Sequence, residues 1–294
     1  MDDAATAAAL RTVQRFVTSC GCKRGKRKGS TYRLSVENEA KRDSYVQLMT
    51  SESADHFRTV YLDESYIHHN YSSHNDSIYD PTDPNVIKEK HKGRRFCFIA
   101  AIIDKNRTLP DAGHTDADAA QLLSDTLDIF EGGKQTKDYH GMFNHDYFKG
   151  WIETLLAGLE ARNFRRCRIV MDNAKYHKKL PKSTPRKGSR RSDMHAACKL
   201  YGISYTASDT RAIMWEKLSR HIVEHVEPEI VSMAKEKGHE VVFTPPHYSD
   251  LQPIEYVWAN IKGEVGRQYT SNTTFQQVRN RLDRAFENIS SKTI

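Results

Sequence analysis

Cys167–Asp172, CRIVMD, is an apolar run too short for a core helix. It stops on an acid followed at once by Asn173, Ala174, Lys175, Tyr176 and His177. Such a run predicts a buried strand with a carboxylate at its C-terminal end, where open α/β sheets place their ligand sites. Arg58–Asn70, RTVYLDESYIHHN, is a second run of this kind. Val60, Leu62, Ser65 and Ile67 do not alternate cleanly, which predicts a buried strand ending between Asp63 and His68. An unpaired Asp inside such a strand is costly to bury, so Asp63 either faces solvent or binds a cation. A third acid, Glu255, lies in Thr244–Gly266, TPPHYSDLQPIEYVWANIKGEVG, where a Pro-rich loop turns into a helix.

Other segments supply the frame. Arg94–Asp104 and Glu240–Phe243 read as further strands, and Leu122–Phe130 as a weaker strand or short helix. Residues 4–19 and 35–50 have helical patterns, the second opened by a Ser35 cap with Asn38 in its first turn. Met142–Arg162 sets Phe143, Tyr147, Phe148, Trp151, Leu155 and Leu159 at helical spacing, which predicts a long core helix rather than a nucleic-acid platform. Asp193–Tyr201 and Thr210–Ile222 read as two short helices hinged around Gly202 and Ile203. Glu227–Lys237 extends that helical region, and Thr274–Ile289 closes the chain as an amphipathic helix.

Charge narrows the partner. Among 294 residues, 45 Lys and Arg outnumber 38 Asp and Glu, and the formal charge of +7 favours a polyanion. The excess is concentrated in two stretches. Residues 22–30 carry Lys23, Arg24, Lys26, Arg27 and Lys28 without an acid, and read as a solvated linker, a phosphate-tracking arm or a nuclear-import signal. Residues 178–191 carry Lys178, Lys179, Lys182, Arg186, Lys187, Arg190 and Arg191, an exposed loop leading into the helix-hinge-helix. That pair of helices is either filler or a DNA-contacting insert. The five cysteines, Cys20, Cys22, Cys97, Cys167 and Cys198, are scattered without a CxxC pair, which argues for a reducing compartment and against a disulfide framework. No apolar run approaches a membrane span and no signal-peptide pattern opens the chain, so an intracellular, unsecreted protein without a membrane partner is expected.

Asp63, Asp172 and Glu255 pose an electrostatic problem if they converge. At ~4 Å each pair of carboxylates repels by roughly 4 kcal/mol at an effective dielectric of 20. Such a cluster calls for divalent cations, and hard carboxylate oxygens suit Mg²⁺ or Mn²⁺. Two such ions can serve an in-line phosphoryl displacement with no catalytic Ser, Cys or His.

Three blocks, LDESYIHHNY at 62–71, VMDNAKYH at 170–177 and PPHYSDLQPIEYVWANIKGEVG at 245–266, resemble the signature blocks of mariner-type DNA transposases. GGKQTKDYHGMFNHDYFKGW at 132–151 is similar to a further family segment, so the resemblance spans most of residues 35–290. It implies an α/β fold of the RNase H and retroviral-integrase kind, a central mixed sheet flanked by helices. It also implies a catalytic, metal-binding triad of Asp63, Asp172 and Glu255 with two Mg²⁺ or Mn²⁺ ions. Asn173, His177, His247 and Asp250 fall in the matching blocks as substrate-orienting or ligand-supporting candidates, His177 having the better claim of the two histidines. The implied activity is cleavage of transposon ends and attack of the freed 3′-hydroxyl on target DNA, by a nuclear homodimer if the source is a eukaryote.

Two departures from the family pattern set the expected organisation. Asp172 and Glu255 have 82 residues between them, about twice the family's usual spacing or more; the surplus is the basic loop and helix-hinge-helix at 178–238, which resembles a SAP-type DNA-binding module. The paired helix-turn-helix modules that open family members are represented only by a remnant at 1–22, as in a truncated protein, followed by a basic linker and helix at 23–56 and the catalytic domain at 57–294. Two other readings stand beside the transposase: a transposase-derived DNA-binding protein without catalysis, and a hydrolase of RNA–DNA hybrids.

Overall fold

The computed structural model describes residues 11–16, 18–20, 35–51, 57–71, 93–105, 119–132, 143–270, 272–291 and 293–294. Cys22 and the first basic stretch, Lys23, Arg24, Lys26, Arg27 and Lys28, lie outside them. Residues 1–39 form one unit and 40–294 another. In the first, residues 11–16 are helical, and Ser35 Oγ accepts the Asn38 N–H at 3.3 Å at the start of helix α1, Val36–Met49.

The second unit is built on a six-stranded mixed sheet. Its strands are β1 (Arg58–His68), β2 (Arg95–Ile103), β3 (Gln121–Leu122), β4 (Asp128–Glu131), β5 (Cys167–Met171) and β6 (Glu240–Phe243). The order is β3-β2-β1-β5-β6, with β4 also on β2. β1 and β2 run antiparallel from Val60 against Ile103 to His68 against Arg95, whereas β1, β5 and β6 are mutually parallel. The predicted segment Leu122–Phe130 is neither one strand nor one helix. A 3-10 turn at Ser124–Thr126 divides it into β3 and β4, held because the Thr126 hydroxyl donates to Leu123 O at 2.6 Å and accepts from the Ala101 N–H at 3.0 Å.

Alternation along the central strands feeds two cores. Val60 and Leu62 of β1 and Ile99 and Ala101 of β2 face α2 (His145–Ala161), which buries Phe148, Trp151, Leu155 and Leu159 of the predicted stripe and also Ile152; Phe143 is buried just before the helix and Tyr147 only partly. The Asn144 side chain caps α2 by accepting the Tyr147 N–H at 3.0 Å. On the opposite face, Ile67, Phe96, Phe98 and Ala100 meet α6 (Ile254–Arg267) and α7 (Phe275–Glu287), the latter opened by a Thr274–Gln277 capping box.

Between β5 and β6 lies the long excursion. Its helices α3 (Arg191–Leu200) and α4 (Arg211–His225) close on a core of their own, formed by Met194, Ala197, Cys198, Met214, Leu218 and Ile222. Gly202, at φ +66°, lets the chain leave α3 sharply, and the Ile203 N–H returns to Cys198 O at 2.8 Å. The predicted continuation through Glu227–Lys237 is interrupted: Pro228, which has no N–H to continue a helix, is the N-cap of a separate helix α5 (Glu229–Glu236). Ile230 and Ala234 of α5 rejoin the core beneath α2. Entry and exit meet, since the Glu229 N–H donates to Lys179 O at 3.0 Å. Cys20, Cys97, Cys167 and Cys198 are free thiols. Among the described residues no helix is long and apolar enough to cross a membrane.

Candidate active site

Asp63 lies within β1 on the face covered by α6, because its neighbours Leu62 and Glu64 turn to the α2 side. The parallel register pairs Tyr61 with Val170; two places farther along both chains come Asp63 and Asp172. Neighbouring strands lie ~4.8 Å apart, so the two acids stand level on the adjacent interior strands β1 and β5. Glu255 enters from α6. The Tyr248–Gln252 stretch forms a 3-10 turn, Pro253 starts the helix, and Glu255 occupies its first turn. Three residues on, and so on the same side of the helix, Trp258 donates its indole N–H to Asp63 Oδ2 at 2.9 Å. One turn beyond that sits Lys262.

Charge ties these groups together. The carboxyl of Asp63 is held well above the ordinary aspartate range by burial first, then by the negative charges of Glu64 and Glu255, with Asp172 adding to them; only the Trp258 hydrogen bond opposes the shift. Burial lowers the affinity of Lys262 for its proton, partly offset by Glu255 and Asp63. Thus Glu255 and Asp172 both act on the buried carboxyl of Asp63. That donor set suits a divalent cation with hard oxygen ligands, Asp63, Asp172 and Glu255 being the residues that would hold it. Among the described residues, no three His, Cys, Asp or Glu side chains stand close enough to share one ion as they are. Asp172 is engaged elsewhere: its Oδ1 accepts the Ala174 N–H at 2.8 Å and lies 2.8 Å from His177 Nδ1.

The supporting residues divide. His177 is buried between two acids, with Nε2 3.1 Å from Glu64 Oε1 and Nδ1 against Asp172. Burial disfavours its protonation, but Glu64 and Asp172 outweigh that and push its pKa up to about 10. Asn173 donates its amide to Thr244 O and accepts from Lys178, tying the end of β5 to the end of β6. His247, at φ +70°, and Asp250 are exposed on the loop before α6. Glu64, Trp258 and Lys262 belong to the site without having been expected there.

The second basic stretch is less uniform than its composition. Lys182, Arg186, Lys187 and Arg190 project from the surface. Lys178 lies over the Phe243 ring at 4.4 Å, and Lys179 faces Asp146 at 3.6 Å. Arg191 donates to the carbonyls of Ala207 at 2.6 Å and Asp209 at 3.1 Å, closing the α3–α4 loop.

No protein-family model matches the chain, and no curated protein does. Solved structures do match it. The Mos1 transposase paired-end complex with left transposon end superposes with a TM-score of 0.51 at 13% identity, over 96% of this chain and 64% of that one. The Mos1 strand transfer complex matches at 0.52 and 14%, and the Mos1 mariner paired-end complex with Mn at 0.52 and 13%, with the same coverage. The fold is RNase H-like. At these identities the likeness establishes the fold, and the chain spans 64% of the length of the Mos1 chains it matches. Within the RNase H-like frame, the mixed sheet flanked by helices agrees with the expected class. Asp63 stands within β1, Asp172 directly after the parallel strand β5, and Glu255 on the helix that follows β6.

Proposed function

We propose that this chain is a mariner-type DNA transposase, a metal-dependent endonuclease and strand transferase whose metal ligands are Asp63, Asp172 and Glu255. The observation that carries the reading is that the strand register sets Asp172 level with Asp63 while the Trp258 hydrogen bond holds the first turn of α6, with Glu255, against Asp63, on a fold shared with transposase complexes that contain transposon ends. Mn accompanies one of those Mos1 complexes, which supports Mg²⁺ or Mn²⁺ as the cofactor, two ions being the expected number. When bound, such ions supply Lewis-acid stabilisation of attacking and leaving oxygens in an in-line displacement. The protein's own groups orient the carboxylates: Trp258 holds Asp63, while His177 and the Ala174 N–H hold Asp172. Lys182, Arg186, Lys187 and Arg190, exposed on the excursion, offer phosphate contacts, which position DNA without reading its sequence. Joining two ends to a target makes a homodimer part of this reading.

A DNA-binding protein without catalysis is the second reading, favoured by the engagement of Asp172 with His177 and Ala174. Incubation with Mn²⁺ and DNA carrying inverted repeats from the genomic flanks, beside Asp172→Asn, separates the two. Cleavage by the wild type alone is expected. Salt-sensitive binding without metal-dependent cleavage, the same in both proteins, would establish the second reading instead.

A further inference from the structure

Glu64 is adjacent to Asp63 yet points to the opposite face of β1, and its side chain is only 3% exposed. The proposed chemistry gives it no task. Its Oε1 stands 3.1 Å from Nε2 of His177, and Nδ1 of the same ring stands 2.8 Å from Asp172 Oδ1. Each ring nitrogen thus faces a different carboxylate, Nε2 that of Glu64 and Nδ1 that of Asp172. Aromatic groups keep the ring from turning: Phe148 lies at 4.1 Å between centroids, and Tyr176 stands edge-on at 4.4 Å. Tyr176 is itself fixed, because its carbonyl accepts from Nδ1 of the buried His145 at 2.8 Å.

The geometry points to Glu64 as a positioning residue for Asp172, acting through His177. Glu64 anchors the far nitrogen, the aromatic groups confine the ring, and the near nitrogen sets the orientation of the Asp172 carboxylate together with the Ala174 N–H. The inference rests on the reading of Asp172 as a metal ligand. In metal sites a carboxylate or imidazole placed behind a ligand typically changes ion affinity about 10–100-fold when removed.

The test measures Mn²⁺ binding to the whole chain without DNA, by calorimetry and electron paramagnetic resonance, alongside thermal melting. Asp172→Asn should bind Mn²⁺ least. Glu64→Ala should weaken binding by about 10–100-fold. Glu64→Gln, whose carbonyl still accepts from Nε2, should recover most of that loss. A folded Glu64→Ala protein with wild-type affinity, beside a defective Asp172→Asn, overturns the inference and leaves the metal site standing. Should Glu64→Ala not fold, His177→Asn takes its place: it keeps a donor near Asp172 but severs Glu64, and wild-type affinity there overturns the inference equally. A wild type that does not bind Mn²⁺, or an Asp172→Asn that binds as well, removes the metal-site reading and this inference with it. The imidazole gives an independent readout in metal-free protein. A slowly exchanging ring N–H resonance on His177 is expected, and its absence overturns the hydrogen-bonded frame without touching the metal site.

Discussion

Trp258 does two jobs that a single substitution can separate. Its ring packs edge-on against Phe98 with centroids 5.1 Å apart, while its N–H serves Asp63. Trp258→Phe retains aromatic packing and removes the donor. Because the buried Asp63 oxygen is left without that donor, a loss of about 1–3 kcal/mol is expected in urea unfolding. Asp209 provides a pH signature away from the site. A hydrogen bond from Thr206, then Lys217, hold its carboxyl down at about 2. A folded-state value below the unfolded one means that the contribution is complete above ordinary aspartate pKa values, near pH 4, and is lost as pH falls through about 2. Carboxyl NMR should show this titration near 2, and Lys217→Met should move it upward.

The helical excursion should behave as a subunit of stability. Leu218 is fully buried in the core that α3 and α4 make for themselves. Leu218→Ala is expected to cost about 2–5 kcal/mol. The loss should fall on the excursion, seen as faster amide exchange in α3 and α4 with protection kept in β1, β2 and β5. Elements such as β5, β6, α2 and α7 were legible in the sequence because burial of one face or of a whole strand leaves a periodic or continuous apolar signature. The position of Asp172 directly after β5 was legible for the same reason. What escaped was whatever depends on two elements meeting. Glu64 and His177 are 113 residues apart, and nothing local distinguishes Glu64 from Asp63 until the faces of β1 are known. The 3-10 break between β3 and β4 depends on Thr126 reaching Ala101 in another strand. Arg191 looks like its basic neighbours in sequence, yet it is spent on two carbonyls.

For the whole chain, the proposed DNA contacts make a quantitative demand. Neutralising one phosphate contributes about −0.9 to the slope of log affinity against log salt on duplex DNA. Arg186→Glu and Lys187→Glu should each weaken binding across unrelated sequences and flatten that slope by about 1, whereas substitution at Arg191 should chiefly loosen the α3–α4 loop. Fluorescence anisotropy over a salt series distinguishes these outcomes. Lys179 and Glu229 join backbone to backbone at 3.0 Å, so the chain leaves the catalytic frame and returns to it through one closed neck. A segment attached in that way is exchangeable. What lies beyond the neck can lengthen, shrink or be replaced while β5 and β6 keep their register, so the excursion can change without disturbing the sheet that carries Asp63 and Asp172.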